Sequence, residues 1–375
     1  MCGICGFSGN YTQSDLSVMA DTLAHRGPDS KGDVLYSDMG IGLGHRRLAI
    51  IDLSPAGNQP MYDDSGDIVI VFNGEIYNFQ TIRKRLAANY TFKSNSDTEV
   101  LINAYKEWGT DCLSKLNGMF SFVIYDKRKR LLFGARDKIG EKPLKYYYDG
   151  KNFVFASEVK AILKIIKHAP EIDPVAIHHY LTLQYVPSPM TGFKNIYKLP
   201  PAHYFIFQNG NLEIKKYWSL DFSNKDVHSE QEWEEIIIKE IERSVKMRMI
   251  ADVPIGALLS GGLDSSTVVA FMAKNSPKPI NTFSIGFDNQ MFDESQYAKI
   301  VSDLYSTSHN TLMVTSNDLM ELLPTLMDYY DEPIADNSIL PTFLVSKLTR
   351  EQVTVALDGD GGDENFAGYD RYNIV

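Results

Sequence analysis

The sequence predicts two domains of different class, an α+β first half built on antiparallel strands and an α/β second half built on a parallel sheet. Three observations carry this. Short apolar strands spaced by turns fill the first half, prolines and a polar stretch break the chain between about 165 and 230, and strands alternate strictly with helices from Gln231 onward. With 375 residues the chain is long enough for two cores. The domains are expected over residues 1–210 and 231–375, with residues 211–230 as linker.

Strands are expected at Ile68–Phe72, Met119–Tyr125, Leu131–Phe133, Leu144–Tyr148 and Phe153–Ala156, the last two joined by a tight Asp149-Gly150 hairpin turn. Ser14 is placed as the cap of a helix carrying Leu16, Met19 and Leu23, and Asp97 as the opening of a helix over Thr98–Glu107. Hairpin strands with few helices imply sheet layers flanked by helices. Pro170, Pro174, Pro187, Pro189, Pro200 and Pro201 punctuate the junction, and Asp221–Glu230 reads as loop. Trp233, Ile237, Ile241 and Val245 then recur every four residues, an amphipathic helix. Strand and helix follow in pairs: Ile255–Leu259 with Ser265–Lys274, Thr282–Phe287 with Glu294–Leu304, and Thr311–Val314 with Asp318–Tyr330. A helix over Ile339–Thr349 leads into Val353–Leu357. Such a doubly wound sheet binds ligands at the carboxyl ends of its strands.

Composition narrows the class. An apolar content of 44% with 23% charged residues is that of a soluble globular protein. A net charge of −11 argues against nucleic acid as a partner, because phosphate neutralisation needs a basic face. Three cysteines without a regular framework point to a reducing, cytoplasmic setting. No apolar run approaches a membrane span and no leader is expected.

Cys2-Gly-Ile-Cys-Gly-Phe7 restricts the chemistry most. If Met1 is removed, Cys2 carries a nucleophilic thiol and a free α-amine, whose pKa of about 8 lets it take the thiol proton near neutral pH. A nucleophile with its own base suits attack on an amide carbonyl. Two other readings stand beside this one. The cysteine could be a buried structural residue, or Cys2 and Cys5 could form a C-x-x-C redox or zinc site. Zinc would need two further ligands, and Cys112 is the only other cysteine.

Ser260-Gly-Gly-Leu-Asp-Ser-Ser266 lies between a strand and a helix. Its small residues let the backbone approach a polyphosphate, the helix start favours anions, the Ser265 and Ser266 hydroxyls add donors, and Asp264 can hold Mg2+. Asp358-Gly-Asp-Gly-Gly-Asp-Glu364 follows the last expected strand, a candidate divalent-cation and adenylation site, with a solvated surface turn as the lesser alternative. Both motifs fall on the same edge of one sheet.

With these motifs in view the chain resembles the glutamine-hydrolysing asparagine synthetases. The first half is similar to their glutaminase domain, a four-layer αββα sandwich of the N-terminal nucleophile hydrolase class. Met1–Gly6, His25-Arg-Gly-Pro-Asp29, Gly44–Asp52, Phe72–Asn78 and Ser96–Glu99 match its motifs in order. The resemblance makes Cys2 the nucleophile, Arg47 the holder of the glutamine α-carboxylate, and Asn73 with Gly74 N–H the oxyanion hole. Glu75 and Asp97 take the α-amine, and Leu48, Ala49, Ile50 and Ile51 complete the glutamine site. These residue types fit a zwitterionic amino acid and a tetrahedral oxyanion on physical grounds as well.

The second half resembles an ATP pyrophosphatase domain of the adenine nucleotide α-hydrolase kind. The resemblance places Ser260, Gly261, Gly262, Asp264, Ser265 and Ser266 on pyrophosphate, and Leu258, Ile285, Asp358 and Gly359 around the nucleotide. Asp264 and Asp363 become Mg2+ ligands and Asp360 a residue of acyl-adenylate formation. Asp331–Ser338 matches a further segment without an assigned role. The family has Ser-Gly where this chain has Asp358-Gly359, and its synthetase domain extends further than Val375, so that half is expected to be incomplete. The implied activity is glutamine-dependent asparagine synthesis from aspartate and ATP, with ammonia passing inside the protein. Another carboxylate acceptor, in a sugar, peptide or antibiotic precursor, and a glutaminase alone are the alternatives. The resemblance admits a homodimer.

Overall fold

A computed structural model describes residues 1–373 except Ala169 and Phe292. The chain divides into two compact units, Met1–Asn224 with Tyr330–Ala335, and Lys225–Tyr329 with Asp336–Val375.

Among the described residues the first unit holds two six-stranded antiparallel sheets. Its strands are β1 (Gly3–Ser8), β2 (Ser30–Tyr36), β3 (Ile41–Arg47), β4 (Met61–Tyr62), β5 (Ile68–Ile76), β6 (Gly118–Asp126), β7 (Leu131–Arg136), β8 (Lys145–Tyr148), β9 (Phe153–Ala156), β10 (Ile196–Lys198), β11 (His203–Gln208) and β12 (Asn211–Lys216). One sheet runs β10-β8-β9-β1-β3-β2 and the other β12-β11-β7-β6-β5-β4. Strand alternation makes the layers. Ile4, Leu43, Phe153 and Phe155 of one sheet meet Val69, Val71, Val123 and Phe205 of the other in a shared apolar layer. Opposite parity sends Cys5, Phe7 and Val154 outward, onto Leu16, Met19 and Ala20 of α1 (Gln13–Thr22) and Val159 and Ile162 of the short α4 (Val159–Leu163). On the far face of the second sheet, α2 (Phe79–Leu86) packs on α3 (Asp97–Trp108), which lies against β5, and Tyr105 stacks on Phe133 at 5.4 Å. The result is an αββα sandwich. Phe7, Phe122, Phe133 and Phe153 are fully buried, each such side chain contributing about 1.5–3 kcal/mol.

Several local expectations are corrected. Thr12, not Ser14, caps α1, because Asp15 three residues on completes a reciprocal capping box with it. Ser96 rather than Asp97 caps α3. The β8–β9 turn spans Asp149–Asn152, since Tyr148 pairs with Phe153 and the Asp149 carboxylate accepts from Lys151 and Asn152 N–H. The proline-rich junction contains α5 (Pro174–Leu183), which Asp173 caps. Tyr330–Ala335, expected in the second domain, belongs to the first unit. There Asp331 accepts from the Val159 and Lys160 N–H groups at the start of α4, and Glu332 pairs with Lys198 at 3.2 Å.

The second unit opens with α6 (Glu230–Arg248), closed by a Ser229–Glu232 capping box. Its sheet contains β13 (Ile255–Leu258), β14 (Asn281–Phe287), β15 (Ser308–Val314) and β16 (Val355–Leu357), all parallel, in the order β15-β14-β13-β16. Helices α7 (Leu263–Asn275), α8 (Ser295–Tyr305), α9 (Ser316–Tyr329) and α10 (Ile339–Arg350) connect these strands, and α11 (Gly362–Phe366) follows the last. Val269 and Met272 of α7 and Ala298 of α8 cover one face of the sheet, while Val345 of α10 covers the other against Phe283. The strand order reverses between β13 and β16, which places a ligand crevice at their carboxyl ends.

Candidate active site

In the first unit, strand parity carries polar residues to one end of the apolar layer. Leu43, His45 and Arg47 share a face of β3, and Val71, Asn73 and Glu75 share a face of β5. Cys2, just ahead of β1, shares the parity of Ile4. The layer therefore ends in a pocket lined by Cys2, Arg47, Asn73, Gly74, Glu75 and Asp97, with Leu48, Ile50 and Ile51 beside them. Ala49 is not in this wall; its N–H donates to Asp29 at 2.8 Å.

The C-x-x-C reading fails on the same parity. Residues three apart on a strand face opposite sides, and Cys5 is fully buried beside α1 while Cys2 is half-buried at the pocket. Cys2 Sγ sits 3.4 Å from Leu48 N and 3.6 Å from Leu48 O. Burial raises its pKa, while the adjacent N-terminal amine and Arg47 pull it down. Behind it, Arg26 Nε donates to the Cys2 carbonyl at 2.9 Å and Arg26 Nη1 to Glu158 at 2.8 Å.

Asn73 is 1% exposed, and neither its amide nitrogen nor its amide oxygen has a hydrogen-bond partner among the described residues. An unpaired buried amide is costly unless something fills the role, and an oxyanion would. Gly74 has φ +155°, and a Cβ there would sit 2.1 Å from Met119 O, so only glycine fits. Phe120, opposite Gly74 on β6, gives both its main-chain groups to Asp137 (3.1 and 2.8 Å), so the ladder does not consume the Gly74 N–H.

The pocket holds one buried guanidinium and two buried carboxyl groups. Arg47 Nη1 donates to Ser54 O and Asn58 Oδ1 at 3.0 and 2.9 Å, and Nη2 to the Ile51 and Asp52 carbonyls, which anchors the guanidinium at the wall. Burial and then the Asp97 charge push Glu75 to about 8, and burial pushes Asp97 to about 6 against its bond from Ile76 N–H. A cation brought between these two carboxyl groups would favour their ionised forms and lower both values. Lys142, 8% exposed and in the same pocket, escaped the sequence reading; burial lowers its pKa, and its charge stabilises ionised Glu75. A lysine in a Gly-Glu-Lys-Pro turn carries no local signal of this placement.

In the second unit, β13 and β16 are neighbours, so Ser260–Ser266 and Asp358–Glu364 emerge side by side. A Cβ on Gly362 would lie 2.2 Å from Asp264 Oδ2, and one on Gly359 2.8 Å from Ser265 N, which shows how closely the two turns approach. Ser260 Oγ bonds Ser265 Oγ at 2.9 Å and accepts from Gly262 N–H at 3.2 Å. No side chain caps α7, leaving its first N–H groups for an anion. The Ser266 hydroxyl is buried and has no hydrogen-bond partner among the described residues. Leu258 and Ile285 pack against the Phe283 cluster at the same edge of the sheet. Asp358, the departure from the family pattern, turns its carboxylate back onto Asp360 N–H at 3.2 Å. Asp264 is raised by burial and by the charges of Asp363 and Glu364, and Asp360 by Asp358 and burial. Among the described residues no three His, Cys, Asp or Glu side chains are grouped to hold a metal ion. Asp264 and Asp363 are near enough for their charges to interact, and Mg2+ needs only one or two carboxylates, with its remaining ligands from water and phosphates.

The sandwich with Cys2 in its pocket and the parallel sheet with a glycine-serine loop at its switch point each correspond to a known domain, a glutamine amidotransferase domain followed by an asparagine synthase domain. Residues 1–218 match the glutamine amidotransferase domain family and residues 237–375 the asparagine synthase family. The chain is 41% identical to a putative glutamine-hydrolysing asparagine synthetase of Methanocaldococcus jannaschii, over 98% of this chain and 76% of that protein. It is 37% identical to glutamine-hydrolysing asparagine synthetase 1 of Bacillus subtilis, over 98% of this chain and 59% of that one. A glutamine phosphoribosylpyrophosphate amidotransferase from B. subtilis, solved with ADP and GMP, matches 83% of this chain and 65% of its own at 16% identity, TM-score 0.43. The chain belongs to the glutamine-hydrolysing asparagine synthetase family.

Proposed function

We propose that this chain uses glutamine to make asparagine. Cys2, freed of Met1, attacks the glutamine side-chain carboxamide while its own α-amine accepts the thiol proton. Asn73 and the Gly74 N–H stabilise the tetrahedral oxyanion, ammonia leaves, and water hydrolyses the γ-glutamyl thioester. Arg47 holds the α-carboxylate, and Glu75 with Asp97 the α-ammonium. In the second unit the α7 N-terminus and Ser260–Ser265 hold the ATP phosphates. Mg2+, held by Asp264 and Asp363, would neutralise phosphate charge there. Aspartate becomes β-aspartyl-AMP with release of pyrophosphate, Asp360 lying beside this centre, and ammonia then displaces AMP. Adenylation is required because a carboxylate resists nucleophilic attack.

The reading rests on one observation: a half-buried thiol shares a pocket with an unpartnered buried amide, an arginine and two carboxylates of raised pKa. The cysteines are free, as in a reducing cytoplasm, and no helix among the described residues is long and apolar enough to cross a membrane. The test pairs two assays on the purified chain. Glutamate release should need Cys2, and pyrophosphate release should follow aspartate in preference to other carboxylic acids. Equal pyrophosphate release with an unrelated acid would reject aspartate as the acceptor, and glutamate release from Cys2→Ala would reject the nucleophile.

A further inference from the structure

The β4–β5 ladder ends early. Met61 and Tyr62 pair with Ile70 and Val69, and beyond them the edge of β5 has no strand partner among the described residues. Phe72 stands on that bare edge, one residue before the oxyanion donors. Its main chain is nonetheless fully bonded, by side chains. Phe72 N–H donates to Gln59 Oε1 at 2.6 Å, and the Phe72 carbonyl accepts from His45 Nε2 at 3.0 Å. Both side chains are buried, Gln59 at 6% and His45 at 1% exposure. Gln59 is itself tied to α3 through Nε2 to Thr98 Oγ1 at 3.3 Å, beside Asp97. Because a carbonyl only accepts, the imidazole must carry its proton on Nε2, and Nδ1 is buried with no partner among the described residues. A buried histidine with one nitrogen orphaned is expensive unless its single bond has a purpose.

We propose that Gln59 and His45 clamp the Phe72 peptide and so fix the Asn73 amide and Gly74 N–H at the place where the oxyanion forms. They are positioning residues, and this rests on the reading of the Cys2 pocket as a glutaminase site. Without the clamp, no strand among the described residues restrains Phe72 on its open side. A displacement of about 1 Å in preorganised donors costs on the order of a hundredfold in rate. The clamp also ties the two ends of the substrate site together, since Gln59 bridges the oxyanion strand and the helix that carries Asp97.

The test measures glutamine hydrolysis by the intact chain with kcat and KM separated, in His45→Leu, His45→Gln, Gln59→Met and Gln59→Glu. Leucine and methionine remove the bond at similar volume. Glutamine at 45 can still donate to the Phe72 carbonyl, and glutamate at 59 can still accept from its N–H. The expected result is a kcat loss of about tenfold to a hundredfold in the first member of each pair, KM within about twofold, and recovery in the second. A parallel titration with glutamate γ-semialdehyde, which adds to Cys2 as a thiohemiacetal, should show the same loss of affinity, while glutamate binding stays unchanged. Wild-type kcat in both His45→Leu and Gln59→Met, in an enzyme whose activity needs Cys2, would overturn the clamp alone. Equal loss in the members of each pair, with lowered melting temperatures, would overturn it in favour of a packing role. An inactive parent chain, or activity surviving Cys2→Ala, would instead bring down the glutaminase reading beneath it.

Discussion

In the first unit the groups facing the pocket are buried and held from behind: Arg47 by four acceptors, Asp97 by a main-chain N–H, the Cys2 carbonyl by Arg26. In the second, the acids of the candidate nucleotide site lie on two glycine-rich turns. Asp360 is exposed, and Asp264 and Asp360 are both raised in part by neighbouring acids. The first arrangement is already tied down by the protein's own bonds, as the proposed oxyanion hole would require. The second stores repulsion among carboxylates that a cation and its phosphates would relieve, so it is completed by what binds it. A rigid framework suits a site that must stabilise a transient charge; a compliant one suits a site that meets its own counter-ions.

The sharpest way to break the contrast is Cys2→Ala. Glutamate release should fall by at least about a thousandfold, while pyrophosphate release driven by added ammonia persists; loss of both would mean the sites are not separable. Asn73→Ala should lower kcat for glutamine hydrolysis by about a hundredfold to a thousandfold with KM little moved, and a KM effect of that size would make Asn73 a binding residue instead. Asp264→Asn should weaken Mg2+-dependent pyrophosphate release at least about tenfold and leave glutamine hydrolysis at the parental rate.

Glu75 gives the smallest and most diagnostic effect. Its carboxyl titrates at about 8 in the folded chain against an ordinary 4.5. Between those values the folded chain retains a proton that the unfolded chain has released, so stability declines as pH rises through the window. Thermal melts should show that slope in the parent chain, a shallower one in Glu75→Gln, and flattening of the parental slope by saturating glutamine, whose ammonium favours the ionised carboxylate. An unchanged slope in Glu75→Gln would mean that other groups carry it.

How far the sequence could be read follows from where polarity interrupts the pattern. The parallel half was legible because short apolar strands alternate with amphipathic helices along the chain, and the β13 and β16 turns were found by their glycines and acids. The first sandwich was harder. Strand β5 was expected to stop at Phe72, since Asn73-Gly74 has the composition of a turn, yet it runs to Ile76 with Gly74 extended under Met119 O. β1 and β3 were not recognised as strands because glycines interrupt both, Gly6 admitting Phe155 on the inward face of β1 and Gly44 admitting Cys5 on the outward face of β3, and because His45 and Arg47 take inward positions that an apolar residue would normally hold. Polar inward residues hide a strand and mark a pocket for one physical reason. Lys142, Gln59 and His45 were invisible as site residues, since each acts through tertiary neighbours rather than through local spacing.

The return of Tyr330–Ala335 to the first unit has a practical corollary for anyone dissecting the gene. A fragment ending at Asn224 would amputate Asp331 and Glu332, leaving Lys145 and Lys198, 12% and 18% exposed, stranded without their anions and the first turn of α4 uncapped. Losing a cap costs about 1 kcal/mol, and the loss of the two part-buried ion pairs adds to it. The amino-terminal sandwich is stitched by a thread borrowed from far downstream, and a faithful excision has to carry that thread along.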